Sequence, residues 1–252
     1  MRVSLVTGGG RGIGRAIARA LAGPGTRVAV AGRTRAQLES AVAELQTLGG
    51  DAVAIEMDVS SAASVAAGMR RLRDAAPHLD VLVNNAGVGG GEPVDGSDID
   101  RWRRTIDVNL TGMYLVTRAA LPAMQPGGRI VNLSSVLGRF GVPGYTAYCA
   151  SKHGVIGFSR ALALELAPRA IAVNAICPGW VETDMAADGM RQGAAATGTT
   201  FEVFRERALS AVPIGRIIQP AEVAELVRFL AGPAASAITG QTYNICGGQT
   251  MD

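Results

Sequence analysis

Residues 5–18 read LVTGGGRGIGRAIA: an apolar run, a turn of glycines with one arginine, then a segment of helical periodicity. The first turn of a helix leaves backbone N–H groups without partners and carries partial positive charge, so it offers a place for an anion. Side chains there would hold the anion away from the backbone, and glycine removes them. The spacing is Gly8-x-x-x-Gly12-x-Gly14 rather than GxGxxG. At a strand–helix junction it reads as the pyrophosphate site of a dinucleotide, formed by Gly8, Arg11, Gly12, Ile13 and Gly14.

Outward from this stretch the same rhythm repeats. Apolar runs at 3–7, 27–31, 52–57, 81–84, 129–133, 172–176 and 242–245 read as strands. Helical periodicity occupies 13–22, 35–48, 62–75, 98–124 and 145–167. Strands this uniformly apolar are covered on both faces, as in a parallel sheet. Strand–helix–strand alternation builds βαβ units. The expectation is an α/β fold: a doubly wound, mostly parallel seven-stranded sheet of the Rossmann type, helices on both faces, in a single domain over 1–252. Residues 184–219 interrupt the rhythm with small residues and then a helix from Phe201, and read as a lid or binding loop.

With 252 residues, 48% apolar and 18% charged, the chain can bury a sizeable core and is no disordered segment. Gly, Pro or charge interrupts every apolar stretch before the roughly 18 residues a membrane span needs. The N-terminal MRVSLVTGGG does not read as a signal peptide. Cys149, Cys177 and Cys246 show neither paired nor metal-type spacing, and two histidines do not suggest a zinc site, so no metal is expected. A reduced, cytoplasmic protein is the resulting expectation. A net charge of +3, scattered arginines and 4% aromatics suit a small anionic ligand and argue against nucleic acid.

The second strand bears on which dinucleotide binds. An acid about 20 residues beyond the glycines would take the ribose hydroxyl pair. In VAVAGRTR, residues 28–35, Gly32 stands there and Arg33 follows. A carboxylate would repel a 2′-phosphate, whereas a guanidinium pairs with it through forked, charge-assisted hydrogen bonds. Arg11 lies in the loop facing the same group. The expected cofactor is NADP(H).

Lys152 is the only lysine among 24 basic residues, and it follows Tyr148 by four positions, on the same helical face. Seven pieces then stand in order: TGGGRGIG at 7–14, DV at 58–59, NNAG at 84–87, DVNLTG at 107–112, IVNLSS at 130–135, YCASK at 148–152 and PGWVET at 178–183. On these motifs the chain resembles the short-chain dehydrogenase/reductase family over essentially its whole length. The resemblance implies a catalytic set of Asn109, Ser135, Tyr148 and Lys152. It implies that Gly8, Gly12 and Gly14 line the diphosphate and that Asp58 and Val59 flank the adenine. Asn85, Ala86 and Gly87 would lie along the ribose side, with Tyr148 and Lys152 also at the cofactor. Pro178, Val181 and Thr183 would hold the nicotinamide carboxamide. A homotetramer or homodimer, joined through 98–124, 145–167 and the C-terminal strand, is implied as well. The end of the chain and the long segment after PGWVETDM are similar to 3-oxoacyl-carrier-protein reductases and to aromatic polyketide ketoreductases.

Reducing a ketone needs a hydride on carbon and a proton on oxygen. The cofactor supplies the first and, in this reading, Tyr148 the second. The neighbouring ammonium is expected to lower the phenol's pKa. An ammonium also has three donors and an exchangeable proton, so Lys152 can hold ribose hydroxyls and relay protons where an arginine would stall. Ser135 would bond the substrate oxygen, and Asn109 would hold a water linking Lys152 to solvent. Met185, Met190, Phe201 and Phe204 either line the substrate pocket or pack the lid down. Met185 joins Ser135 and Tyr148 as the substrate-binding set. The favoured function is NADPH-dependent reduction of a 3-oxoacyl thioester or polyketide-like ketone, free or carrier-protein-bound, to a secondary alcohol. Two alternatives stand beside it: a general alcohol dehydrogenase for cyclic or xenobiotic ketones, and a non-catalytic NADP-binding regulator.

Overall fold

The computed structural model describes residues 1–96 and 98–251. Its seven strands are β1 (Arg2–Thr7), β2 (Thr26–Gly32), β3 (Asp51–Glu56), β4 (Leu79–Asn84), β5 (Met124–Leu133), β6 (Ala172–Pro178) and β7 (Thr242–Ile245). They form one sheet in the order β3-β2-β1-β4-β5-β6-β7, parallel throughout. The helices are α1 (Gly12–Leu21), α2 (Arg35–Gln46), α3 (Ala62–Ala75), α4 (Ile99–Ile106), α5 (Gly112–Ala120), α6 (Thr146–Leu166), α7 (Asp184–Ala196), α8 (Phe201–Ser210) and α9 (Pro220–Ala231).

Side chains alternate across each strand, so the continuous apolar runs divide between two cores. Val3, Leu5, Ala29 and Ala31 pack with Met69 of α3, Val116 of α5 and Leu162 of α6. Val6, Val28 and Val30 pack on the other face with Ile17 of α1, Leu38 of α2 and Val227 of α9. Strand order reverses at β1, which lies between β2 and β4. The crossovers on its two sides therefore run in opposite directions and leave a crevice at the carboxyl ends of β1 and β4. There the glycine turn and the NNAG segment meet.

Two expectations about helices are corrected. Residues 98–124 are not one helix: a π-helical turn, Asp107–Thr111, separates α4 from α5. Gly112 brings this backbone against the end of β3, where a Cβ would lie 2.9 Å from the Val59 side chain. The wider turn points Asn109 inward, and such turns often mark functional positions. The lid, expected to be irregular before Phe201, is helical from Asp184. Thr183 caps α7, its hydroxyl accepting from the Ala186 N–H at 3.3 Å. Gly193 clears space for Phe204, where a Cβ would lie 2.2 Å from the ring, whereas a Cβ on Gly189 would meet Trp180 at an ordinary 3.6 Å. Gly193 serves packing, and neither glycine breaks the helix. Among the described residues no helix is long and apolar enough to cross a membrane.

Candidate active site

A cleft of about 420 Å³ opens at the carboxyl edge of the sheet. One end is the glycine turn, where Gly8 and Gly12 adopt φ of 66° and 53°. A Cβ on Gly14 would stand 2.2 Å from the Gly8 carbonyl oxygen and 2.4 Å from Asn85 Nδ2. No side chain caps α1, and no acid occupies its first turn. This is a cradle a Cβ would fill, with open N–H groups behind it, and it fits a pyrophosphate. Thr7 stitches the cradle to β4: its hydroxyl accepts from the N–H groups of Asn85 (3.0 Å) and Ala86 (3.1 Å). Asn85 Nδ2 returns a bond to the Thr7 carbonyl at 2.9 Å. Sequence reasoning gave Thr7 no role, although its place at the head of TGGG was visible.

Most of the expected cofactor set lines this cleft. Arg11, Ile13, Arg33, Asp58, Val59, Ala86 and Gly87 follow the glycines along it, and Pro178, Thr183 and Met185 close its far end with Tyr148 and Lys152. Asp58 is held below the usual carboxylate range, chiefly because the Ser60 hydroxyl donates to it at 2.7 Å, with Arg33 and Arg104 adding positive field. Arg11 faces Asp184 at 3.9 Å, both side chains well exposed, a pairing of little energetic worth. Val181 does not line the cleft. It is 3% exposed in the core, and its carbonyl accepts from the Thr183 hydroxyl at 3.1 Å. Of the lid's large apolar residues Met185 alone lines the cleft; Met190 is buried and Phe204 sits on Gly193.

Tyr148 and Lys152 stand one turn apart on α6, with the ammonium 5.6 Å from the phenol ring centre. Lys152 Nζ donates to the Leu133 carbonyl at 2.9 Å, and the Ser134 hydroxyl donates to the Lys152 carbonyl at 2.8 Å. The end of β5 thus fixes the lysine at both its head group and its backbone. Behind it a buried chain crosses the sheet: Asn84 Nδ2 donates to Asn132, and Asn132 Nδ2 to Ser159, each at 2.9 Å. Ser135 does not face the cleft directly. Its hydroxyl accepts from the Leu137 N–H at 3.1 Å and shares a hydrogen bond with Tyr148.

Burial pushes the Tyr148 phenol up to about 12, even though part of the ring faces the cleft, and the Ser135 hydrogen bond pulls the other way. Burial likewise pushes Lys152 down to about 8. The expectation that the ammonium lowers the phenol's pKa is corrected here. Desolvation outweighs it, and the ammonium is directed at the Leu133 carbonyl rather than at the phenol oxygen. The Asn109 side chain is held within the protein. Its Oδ1 accepts from the Val88 N–H at 2.8 Å, while its Nδ2 donates to the Val88 carbonyl at 3.0 Å and to Ser151 at 3.1 Å. At 1% exposure this amide clamps the segment after β4. A Cβ on Gly87 would lie 3.2 Å from Asn109 Oδ1 and 3.7 Å from Lys152 Nζ, so glycine permits that convergence.

The cleft therefore joins an anion cradle to a phenol that stays protonated across the neutral range and an ammonium that titrates near neutrality. Among the described residues no three His, Cys, Asp or Glu side chains gather as metal ligands. A family profile described as enoyl-(acyl carrier protein) reductase matches residues 8–250. The chain is 44% identical to a putative ketoacyl reductase of Streptomyces coelicolor, over 98% of this chain and 96% of that protein. It is 41% identical to a 3-oxoacyl-[acyl-carrier-protein] reductase of Synechocystis, over 99% and 97%. A crystal structure of a variant actinorhodin polyketide ketoreductase with NADPH superposes with a TM-score of 0.93 at 43% identity, covering 98% of this chain and 97% of that one. Sheet order, cradle and these likenesses agree, and the chain belongs to the short-chain dehydrogenase/reductase family of oxidoreductases.

Proposed function

We propose that this protein is an NADPH-dependent ketoreductase that converts the ketone of a 3-oxoacyl or polyketide-like thioester into a secondary alcohol. One observation carries the reading: the cleft that starts at the glycine cradle ends at a phenol hydrogen-bonded to Ser135, beside the buried Lys152. NADPH, when bound, supplies the hydride. Tyr148 gives its proton to the carbonyl oxygen, and its high pKa keeps that proton in place at neutral pH. Ser135 orients the phenol. Lys152 would hold the cofactor's ribose hydroxyls and return a proton to the phenol through its ammonium, and Asn109 keeps the Val88 wall of the cleft in place. The relatives' names support a thioester on a carrier protein, since they include a reductase of 3-oxoacyl-carrier-protein substrates. NADPH consumption with an acetoacetyl thioester and with a fused bicyclic ketone tests this. Turnover of neither would overturn it, and turnover of the bicyclic ketone alone would favour a general alcohol dehydrogenase.

The choice of NADPH over NADH rests on Arg33, exposed at the cleft's adenine end, where no acid takes the Gly32 position. Replacing Arg33 with Asp should remove the guanidinium and repel the 2′-phosphate. The kcat/KM ratio of NADPH to NADH is expected to fall by roughly tenfold or more, the effect of about 1.4 kcal/mol. An unchanged ratio would remove Arg33 from the phosphate site.

A further inference from the structure

Beyond Tyr148 the cleft meets a seam between two elements. One is the triple-glycine segment Gly89–Gly91 after β4; the other is α7. Met185 touches Gly89, where a Cβ would lie 3.3 Å from its Cγ. Two turns further along the same face of α7, Gln192 Oε1 accepts from the Gly91 N–H at 3.3 Å. From the other side Arg101 of α4 donates to the Gly91 carbonyl at 3.1 Å. The Tyr145 ring, edge-on to Tyr148 with centres 6.5 Å apart, lies against Gly91, where a Cβ would stand 2.7 Å away. Val88 and Met185, which begin the two sides of the seam, both line the cleft. The seam thus opens into the cleft, and its two halves are held by the Met185 contact and by the hydrogen bond of one exposed side-chain amide.

We infer that Gln192 is a specificity-determining residue: its bond to Gly91 latches α7 onto the glycine segment, and the latch must release before a wide ketone can reach Tyr148. This rests on the proposed ketone reduction. A narrow, linear 3-oxoacyl chain passes with the latch closed. A fused ring system requires it open and loses affinity by the fraction of time it is closed. Exposed and joined by one hydrogen bond, the latch is weak enough to open in solution.

The test uses Gln192→Met, which keeps the length but lacks the amide oxygen, and Gln192→Ala, which removes both. Each is expected to raise the kcat/KM ratio of a fused bicyclic ketone to an acetoacetyl thioester by roughly three- to tenfold, the shift that one lost hydrogen bond gives. The kcat for the thioester should not change. Deuterium exchange at the Gly91 amide should quicken in both variants, a readout independent of turnover. An unchanged ratio overturns the latch, and so does a rise in the Ala variant alone, since volume would then explain it. If neither ketone is reduced by the wild-type protein, the proposed function fails while the exchange rate still decides whether the latch exists. Unaltered exchange would dispose of it.

Discussion

Tyr148→Phe is expected to lower kcat for ketone reduction by roughly 10²–10⁴-fold, the range for lost general acid catalysis. The phenol's place explains the size. Its pKa of about 12 means that essentially every molecule carries the proton at pH 7. Removing the hydroxyl deletes the donor itself rather than shifting its protonation. Ser135 does not replace it, because its hydroxyl does not line the cleft where the ketone would sit. Nor does Lys152, whose Nζ is buried and directed at the Leu133 carbonyl at 2.9 Å. NADPH binding should survive, since the cradle at Gly8, Gly12 and Gly14 lies at the other end of the cleft. Single-turnover NADPH oxidation measures the first effect and a fluorescence titration of NADPH the second. A Phe variant keeping more than about a tenth of wild-type kcat would show that the proton comes from elsewhere.

The parts of this site that were legible in the sequence are those set by local chemistry. A glycine whose Cβ would stand 2.2 Å from a carbonyl oxygen, or a lysine one turn beyond a tyrosine, leaves its mark on residue type and spacing. The sheet was legible for the same reason: strands buried on both faces have few residues to choose from. What stayed hidden depends on contacts between distant segments. The helix over 184–196 stayed hidden among small residues because Phe204, the reason for Gly193, lies eleven positions on. The π-helical turn at Asp107–Thr111 has no composition of its own, and it follows from how closely Gly112 approaches Val59. Asn109 was recognised by its motif, yet its partners Val88 and Ser151 come from two other segments. The pKa values were hidden most thoroughly. Sequence gives the distance between a phenol and an ammonium along a helix but not how much water either retains, and here the loss of water decides both directions.

Lys152→Met is expected to lower kcat by about 10²-fold or more while leaving stability at pH 7 close to that of the wild type. Two opposed terms set that stability. Burying the ammonium lowers its pKa from 10.5 to about 8, a cost of about 3 kcal/mol that the methionine does not bear. The substitution also leaves the Leu133 carbonyl without its donor, which costs about 1–3 kcal/mol. The terms nearly cancel at neutral pH, and pH separates them. Between about 8 and 10.5 the folded wild type binds fewer protons than its unfolded chain, so its stability rises with pH through that window. The variant has no such group and gains nothing there. Tyr148, raised from 10.0 to about 12, contributes stability that is fully present below pH 10 and lost above it, equally in both proteins. Thermal unfolding at pH 7 and pH 9.5 should therefore show the wild type gaining on the variant as pH rises. In the same pH range the wild-type kcat/KM for reduction should fall above about pH 8, as Lys152 loses its charge while Tyr148 keeps its proton. If the variant is much less stable at pH 7 and the gap does not change with pH, then Lys152 is a packing residue. If reduction stays flat to pH 10, its charge takes no part in the chemistry.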